Sequence, residues 1–250
     1  PRCGGAHSSQ YDLPGTMSTT PPPPTSLPEN LPEDAALLAG ALAAIIPGAA
    51  LERVRPPDCA GLSLWLLQAD YPQGELDPAA VQRIMDNPLY WVFCWASGQV
   101  LARQVLANPA WVRGRRVLDF GCGSGVVAIA AALAGAVEVI ACDNDPLALR
   151  ATALNAAAND VRMTLADDFD AVTGDLDLIL VADVLYDRAN LPWLARFCTR
   201  SPRVLVADSR VRDFDFPPYR AVGGESSCTV PDLDESAEFR FVKLYLAGDL

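Results

Sequence analysis

From Arg115 onward, apolar runs of strand length alternate with stretches of helical period. RRVLDFG (115–121) reads as a buried strand, and VVAIAAALAG (126–135) as a helix closed by Gly135. VEVIAC (137–142) is a second strand, and PLALRATALNAAA (146–158) a second helix with Pro146 in its first turn. VRMTLA (161–166), DLILVAD (177–183) and RVLVAD (203–208) predict three further strands, with a helix over 189–199 before the last of them. FRFVKLYLA (239–247) alternates, Phe239, Phe241, Lys243 and Tyr245 against Arg240, Val242, Leu244 and Leu246, as a late antiparallel strand does. This succession predicts an α/β fold, a doubly wound, Rossmann-like parallel sheet.

Upstream the pattern changes. Residues 1–30, rich in Pro, Ser, Thr and Gly with PPPP at 21–24, lack the apolar surface to offset ordering entropy and are expected to be a disordered tail. The chain opens at Pro1, so Met17 is the expected natural initiator. Residues 31–110 read as a small N-terminal accessory segment, and 111–250 as the main domain. The accessory segment holds a helix between Pro32 and Pro47, an extended LSLWLLQA (62–69), a turn at Tyr71-Pro72, a short helix over 77–85 and another over 98–107.

Composition narrows the chemistry. A net charge of −12 repels phosphate backbones and argues against nucleic acid as a partner. The single histidine, His7, lies in the tail, so a Ser-His-Asp or Cys-His triad and a His-ligated metal site are excluded. Seven scattered cysteines with no C-x-x-C pair indicate neither a zinc site nor a disulfide framework, and a reducing cytoplasm is expected. The most apolar run, Ala35 to Ala50, is broken by Gly40 and Pro47 and is too short to span a membrane. Nothing in the sequence sets the oligomeric state, and a monomer is expected.

VLDFGCGSG (117–125) carries most of the functional information. It sets Asp119 at a strand end and glycines at 121, 123 and 125, which let backbone N–H groups approach a ligand at a helix N-terminus. A dinucleotide site wants G-x-G-x-x-G, but position 126 is Val, and a carboxylate beside the loop repels a pyrophosphate. S-adenosylmethionine carries an ammonium and a sulfonium and no phosphate, so an acidic loop suits it. The rival is a nicotinamide-cofactor oxidoreductase. Asp143, some 20 residues beyond the glycines, can accept ribose hydroxyls, while Asp145 serves as the helix N-cap. Asp167 or Asp168 can receive the adenine amino group, the sequence not deciding which. Asp183 and Tyr186, at the carboxyl edge of the sheet, fall where an acceptor enters.

PLYWVFCWASGQVLA (88–102), VLDFGCGSGVVAIAAALAGA, ACDNDPLAL, LNAAAND and LILVADVLYD together resemble the seven-β-strand S-adenosylmethionine-dependent methyltransferases. Within them the sequence is similar to the lysine methyltransferases of the electron-transfer flavoprotein β-subunit, to proteins described as predicted nicotinamide N-methylases and to the ribosomal protein L11 methyltransferase. The resemblance implies a seven-stranded, mostly parallel sheet with its last strand antiparallel. It implies N-methylation with S-adenosyl-L-methionine as cofactor, on a protein lysine or alternatively on a small nicotinamide-like amine, without a metal. It places Trp95, Asp119, Gly121, Gly123, Asp143 and Ala182 around the cofactor, and Asp183 and Tyr186 at the acceptor. ADSRVRDF (207–214) departs from the Gly-Asp-Pro-Gly-Arg-like turn of the relatives, keeping only Asp208 and Arg210.

Overall fold

The computed structural model describes residues 33–71, 78–86, 88–211, 214–232, 236 and 239–250; the expected tail and Pro72 of the expected turn lie outside them. Seven strands form one sheet: β3 (Arg116–Phe120), β4 (Glu138–Cys142), β5 (Thr164–Ala166), β6 (Leu178–Ala182), β7 (Val204–Asp208), β8 (Arg220–Ser226) and β9 (Phe241–Ala247). Their order is β5-β4-β3-β6-β7-β9-β8, the first five parallel and β9 antiparallel to both its neighbours. The chain steps outward from β3 to β5 and then returns to β6 on the other side of β3. That reversal opens a crevice beyond the carboxyl ends of β3 and β6, where ligands of open α/β sheets bind.

The central strands are apolar throughout because both their faces are covered. Helices α3 (Ala96–Ala107), α4 (Val126–Leu133) and α5 (Pro146–Ala158) lie on one side. On the other, α6 (Trp193–Arg200) and the segment from Phe169 to Leu176 pack against Leu118, Ile140 and Ile179. Neighbouring residues of β3 serve the two layers in turn: Val117 packs in the first core and Leu118 in the second. Each fully buried Leu or Ile here contributes about 2 kcal/mol.

The segment expected to be accessory divides in two. Helix α3 packs on α4 and belongs to the main body; the Cβ position of Gly98 lies only 3.1 Å from Val126 Cγ1. Helix α1 (Glu33–Ile45) and the hairpin β1 (Leu51–Val54) and β2 (Leu64–Leu67) pack instead on the outside of α5, through Leu38, Leu42, Leu67 and Leu154. Two α5-side asparagines read the exposed edge of the hairpin. Asn155 Oδ1 accepts from Trp65 N at 2.6 Å, and Asn159 Oδ1 accepts from Ser63 N at 2.8 Å while its Nδ2 donates to Ser63 O at 2.7 Å. A short helix, α2 (Pro78–Asp86), completes this layer, with Arg83 Nε donating to Ile45 O.

Candidate active site

A cavity of about 950 Å³ opens at the crevice. Its floor is the turn after β3. Gly121 takes φ +71, and a Cβ there would lie 2.7 Å from Val184 Cγ2, so only glycine fits under the loop that follows β6. Gly125 takes φ +81 at the head of α4, packed against Thr152 of α5. The turn is held from the side by Asp143, whose Oδ2 accepts from Gly123 N and Oδ1 from Asp145 N, each at 3.0 Å. Asp145 caps α5, accepting from Leu147 N at 2.8 Å.

Of the expected cofactor residues, Trp95, Gly121, Gly123, Asp143, Asp167, Asp168 and Ala182 line the cavity, and so do Asp183 and Tyr186. Asp119 and Gly125 stand behind the wall. Asp119 is buried, and its Oδ2 accepts from Ala128 N at 2.9 Å, at the first turn of α4. The period of a strand explains the placement: Asp119 faces the helix side with Val117, whereas Phe120 turns to the other side and borders the cavity. Asp119 therefore braces the turn from beneath. Asp168 also has a local partner, its Oδ1 accepting from Asp170 N at 2.9 Å.

Asp183 is the most constrained residue of the site. It takes φ +52, a left-handed conformation that costs a non-glycine residue about 1 kcal/mol. Its carboxylate accepts from Ser97 N at 3.0 Å and from Ser97 Oγ at 2.6 Å. Trp95, the N-cap of α3, offers no side-chain cap, so Asp183 supplies from across the sheet the acceptor that this helix end lacks.

Burial dominates the electrostatics. It pushes the carboxyls of Asp119 and Asp183 each up to about 7, against the pull of Ala128 N–H in one and of Ser97 in the other. Asp143 is also raised by burial, in part offset by the N–H groups of Asp145 and Gly123. Burial and the phenol of Tyr90 lift Tyr186 to about 12. A cation placed among these carboxyls favours their ionised forms and is itself stabilised. Among the described residues, Asp86, Asp143, Asp145, Asp167, Asp168, Asp183 and Asp187 border the cavity, against the single cation Arg210. A sulfonium with an α-ammonium fits such a lining, and a pyrophosphate does not. Among the described residues no group of three or more side chains is placed to hold a metal ion.

Several lining residues had no individual signal in the sequence: Tyr90, Phe120, Phe169, Asn190 and Trp193; Arg210, kept from the relatives' turn, also lines the cavity. Phe120, Phe169 and Trp193 meet at ring-centroid distances of 4.8–5.5 Å. Only the density of aromatics in PLYWVFCW hinted at Tyr90.

Residues 103–189 match the family model described as ribosomal protein L11 methyltransferase (PrmA). The chain is 39% identical over 127 residues to the mouse electron transfer flavoprotein beta subunit lysine methyltransferase, covering 48% of this chain and 50% of that protein. It is 54% identical over 61 residues to the ribosomal protein L11 methyltransferase of Xanthomonas axonopodis pv. citri, covering 24% of this chain and 20% of that one. A solved structure of ribosomal protein L11 methylase from Lactobacillus delbrueckii subsp. bulgaricus superposes with a TM-score of 0.46 at 21% identity, over 62% of this chain and 79% of the other. The chain spans about half the length of the flavoprotein-subunit relatives it matches. Over that half the chain is similar to the electron transfer flavoprotein beta subunit lysine methyltransferases, and its seven-stranded sheet has the order β5-β4-β3-β6-β7-β9-β8.

Proposed function

We propose that this chain is an S-adenosylmethionine-dependent N-methyltransferase whose acceptor is a lysine side chain of a protein. The observation that carries the proposal is the carboxylate-lined cavity at the reversal of strand order, with the glycine turn on one side and Asp183 fixed on the other. The relatives' names support the lysine acceptor. S-adenosylmethionine, when bound, supplies an activated methyl group on a sulfonium.

The chain's own residues then have alignment and desolvation to provide. Gly121, Gly123 and Asp143 hold the donor's polar end and ribose against the turn. Trp95 and Ala182 border the space beside it. Asp183, at the acceptor side, receives the entering ammonium as an ion pair, and with a carboxyl near neutrality it also takes the proton the amine sheds. No imidazole is needed for such a path.

The test has two stages. Calorimetry with S-adenosylhomocysteine and, separately, NAD establishes which cofactor the cleft takes, and Asp143→Ala is expected to weaken the former at least tenfold. Incubation with methyl-labelled cofactor and a cell extract then shows whether label enters lysine of a protein or a small molecule. Lys243 is the only lysine of this chain, so self-labelling is easily separated. Absence of S-adenosylhomocysteine binding at millimolar concentration refutes the proposal. Label confined to small molecules replaces the protein acceptor with a small amine.

A further inference from the structure

Eight large apolar side chains among the described residues are exposed, and only Tyr90 (43%) and Tyr186 (52%) of them border the cavity. Their rings meet at 5.3 Å and 47°. Trp95 continues the surface, its ring 6.0 Å from Tyr90 at 59°, and Phe93 backs it at 5.3 Å. The three lining rings come from separate places: a single 3-10 turn (Tyr90–Val92), the N-cap of α3 and the loop after β6. A hydrogen bond and a ring contact tie them together: Trp95 Nε1 donates to Tyr90 O at 3.0 Å, and the Tyr90 ring lies against that of Tyr186.

Three half-open rings in mutual contact line the same cavity as Asp183 and Asp187, which brings aromatic surface and negative charge together. Carboxylates attract any cation. Ring faces favour one whose N–H groups have been replaced by methyls, because such an ion sheds its water cheaply and presents a broad, weakly positive surface. We propose that Tyr90, Trp95 and Tyr186 form a recognition wall for an alkylammonium, and that Tyr90 is a specificity-determining residue of the acceptor site. The inference rests on the methyltransferase reading and deepens it. A site so lined does not reject its own methylated product: once S-adenosylhomocysteine leaves and a second S-adenosylmethionine binds, the same nitrogen can lose a proton to Asp183 and take a second methyl from the new sulfonium.

The wall is tested without knowing the natural substrate. Protein saturated with S-adenosylhomocysteine is titrated by NMR with Nα-acetyl-Nε-trimethyllysine amide and with its neutral isostere, in which carbon replaces the quaternary nitrogen. The cationic probe is expected to bind about twofold to thirtyfold more tightly than the isostere. That preference should shrink at least twofold in Tyr90→Ala and persist in Tyr90→Phe, which keeps the ring face. Tyr186→Ala provides the same reading should Tyr90→Ala not fold. Equal binding of the two probes, or a preference unchanged in both alanine variants, overturns the wall while leaving the cofactor assignment standing. Failure to bind S-adenosylhomocysteine overturns both.

Discussion

Replacing Asp183 with asparagine asks whether its carboxyl titrates near neutrality. The side chain meets Ser97 N and Oγ at the start of α3. Burial lifts it from 3.8 to about 7; Ser97 and Arg210 pull it down, and Asp208 pushes it up. Cys94, buried beside it, is raised by burial and stays a neutral thiol. A carboxyl that titrates about three units higher in the folded chain than in the unfolded one favours folding when protonated, by up to about 4 kcal/mol. That contribution is complete below about pH 4 and is lost as pH rises through 7. Asparagine has no such dependence, yet its amide oxygen still accepts one of the two Ser97 bonds. Urea unfolding of both proteins, followed by tryptophan fluorescence from pH 4.5 to 8, measures the difference. Wild type should be the more stable at the acid end, with its advantage shrinking by several kcal/mol toward pH 8. Asp119 and Asp143, also raised by burial, titrate in both proteins and drop out of the comparison, whereas Asp208, coupled to Asp183, contributes a part of the pH dependence that the substitution also removes. A difference that does not vary with pH refutes the elevated carboxyl and removes Asp183 as an acceptor of the amine proton.

Two further outcomes follow from the packing. Gly125→Ala places a methyl 2.9 Å from Thr152 Cγ2 and Oγ1 on a backbone at φ +81, so thermal unfolding should reveal a loss of about 1–3 kcal/mol, with weaker S-adenosylhomocysteine binding; an unchanged melting temperature contradicts it. Asn159→Ala strips Ser63 of both its backbone partners, and amide exchange in β1 and β2 should quicken by one to two orders of magnitude while cofactor affinity holds. Uniform slow exchange in that hairpin runs against the docking described.

The central strands were legible because burial on both faces leaves an unbroken apolar run, as in LILVA and VLVA. The strand Arg220–Ser226 was not, since RAVGGES is mostly exposed, carries two glycines and bulges between Ala221 and Gly223. Leu51–Val54 escaped for another reason: four residues, LERV, are too few to show a period. In the site, the glycine turn and Asp143 were readable because their partners lie within 20 residues. The direction of Asp119 was not, because strand alternation alone does not say which side faces a helix. Ser97 and Tyr90 gave no individual signal, since their partners across the cleft, Asp183 and Tyr186, become neighbours only when the sheet assembles.

The bond between Asp183 and Ser97 joins residues 86 positions apart. A helix borrows its first polar anchor from the very group proposed to meet the incoming amine, and that helix lies against the one rising from the glycine turn. Scaffold and proposed chemistry thus meet at one residue pair. Redesign of what this cleft accepts is better begun at the rings of its rim than at that carboxylate, where every exchange would also loosen the frame that holds the donor.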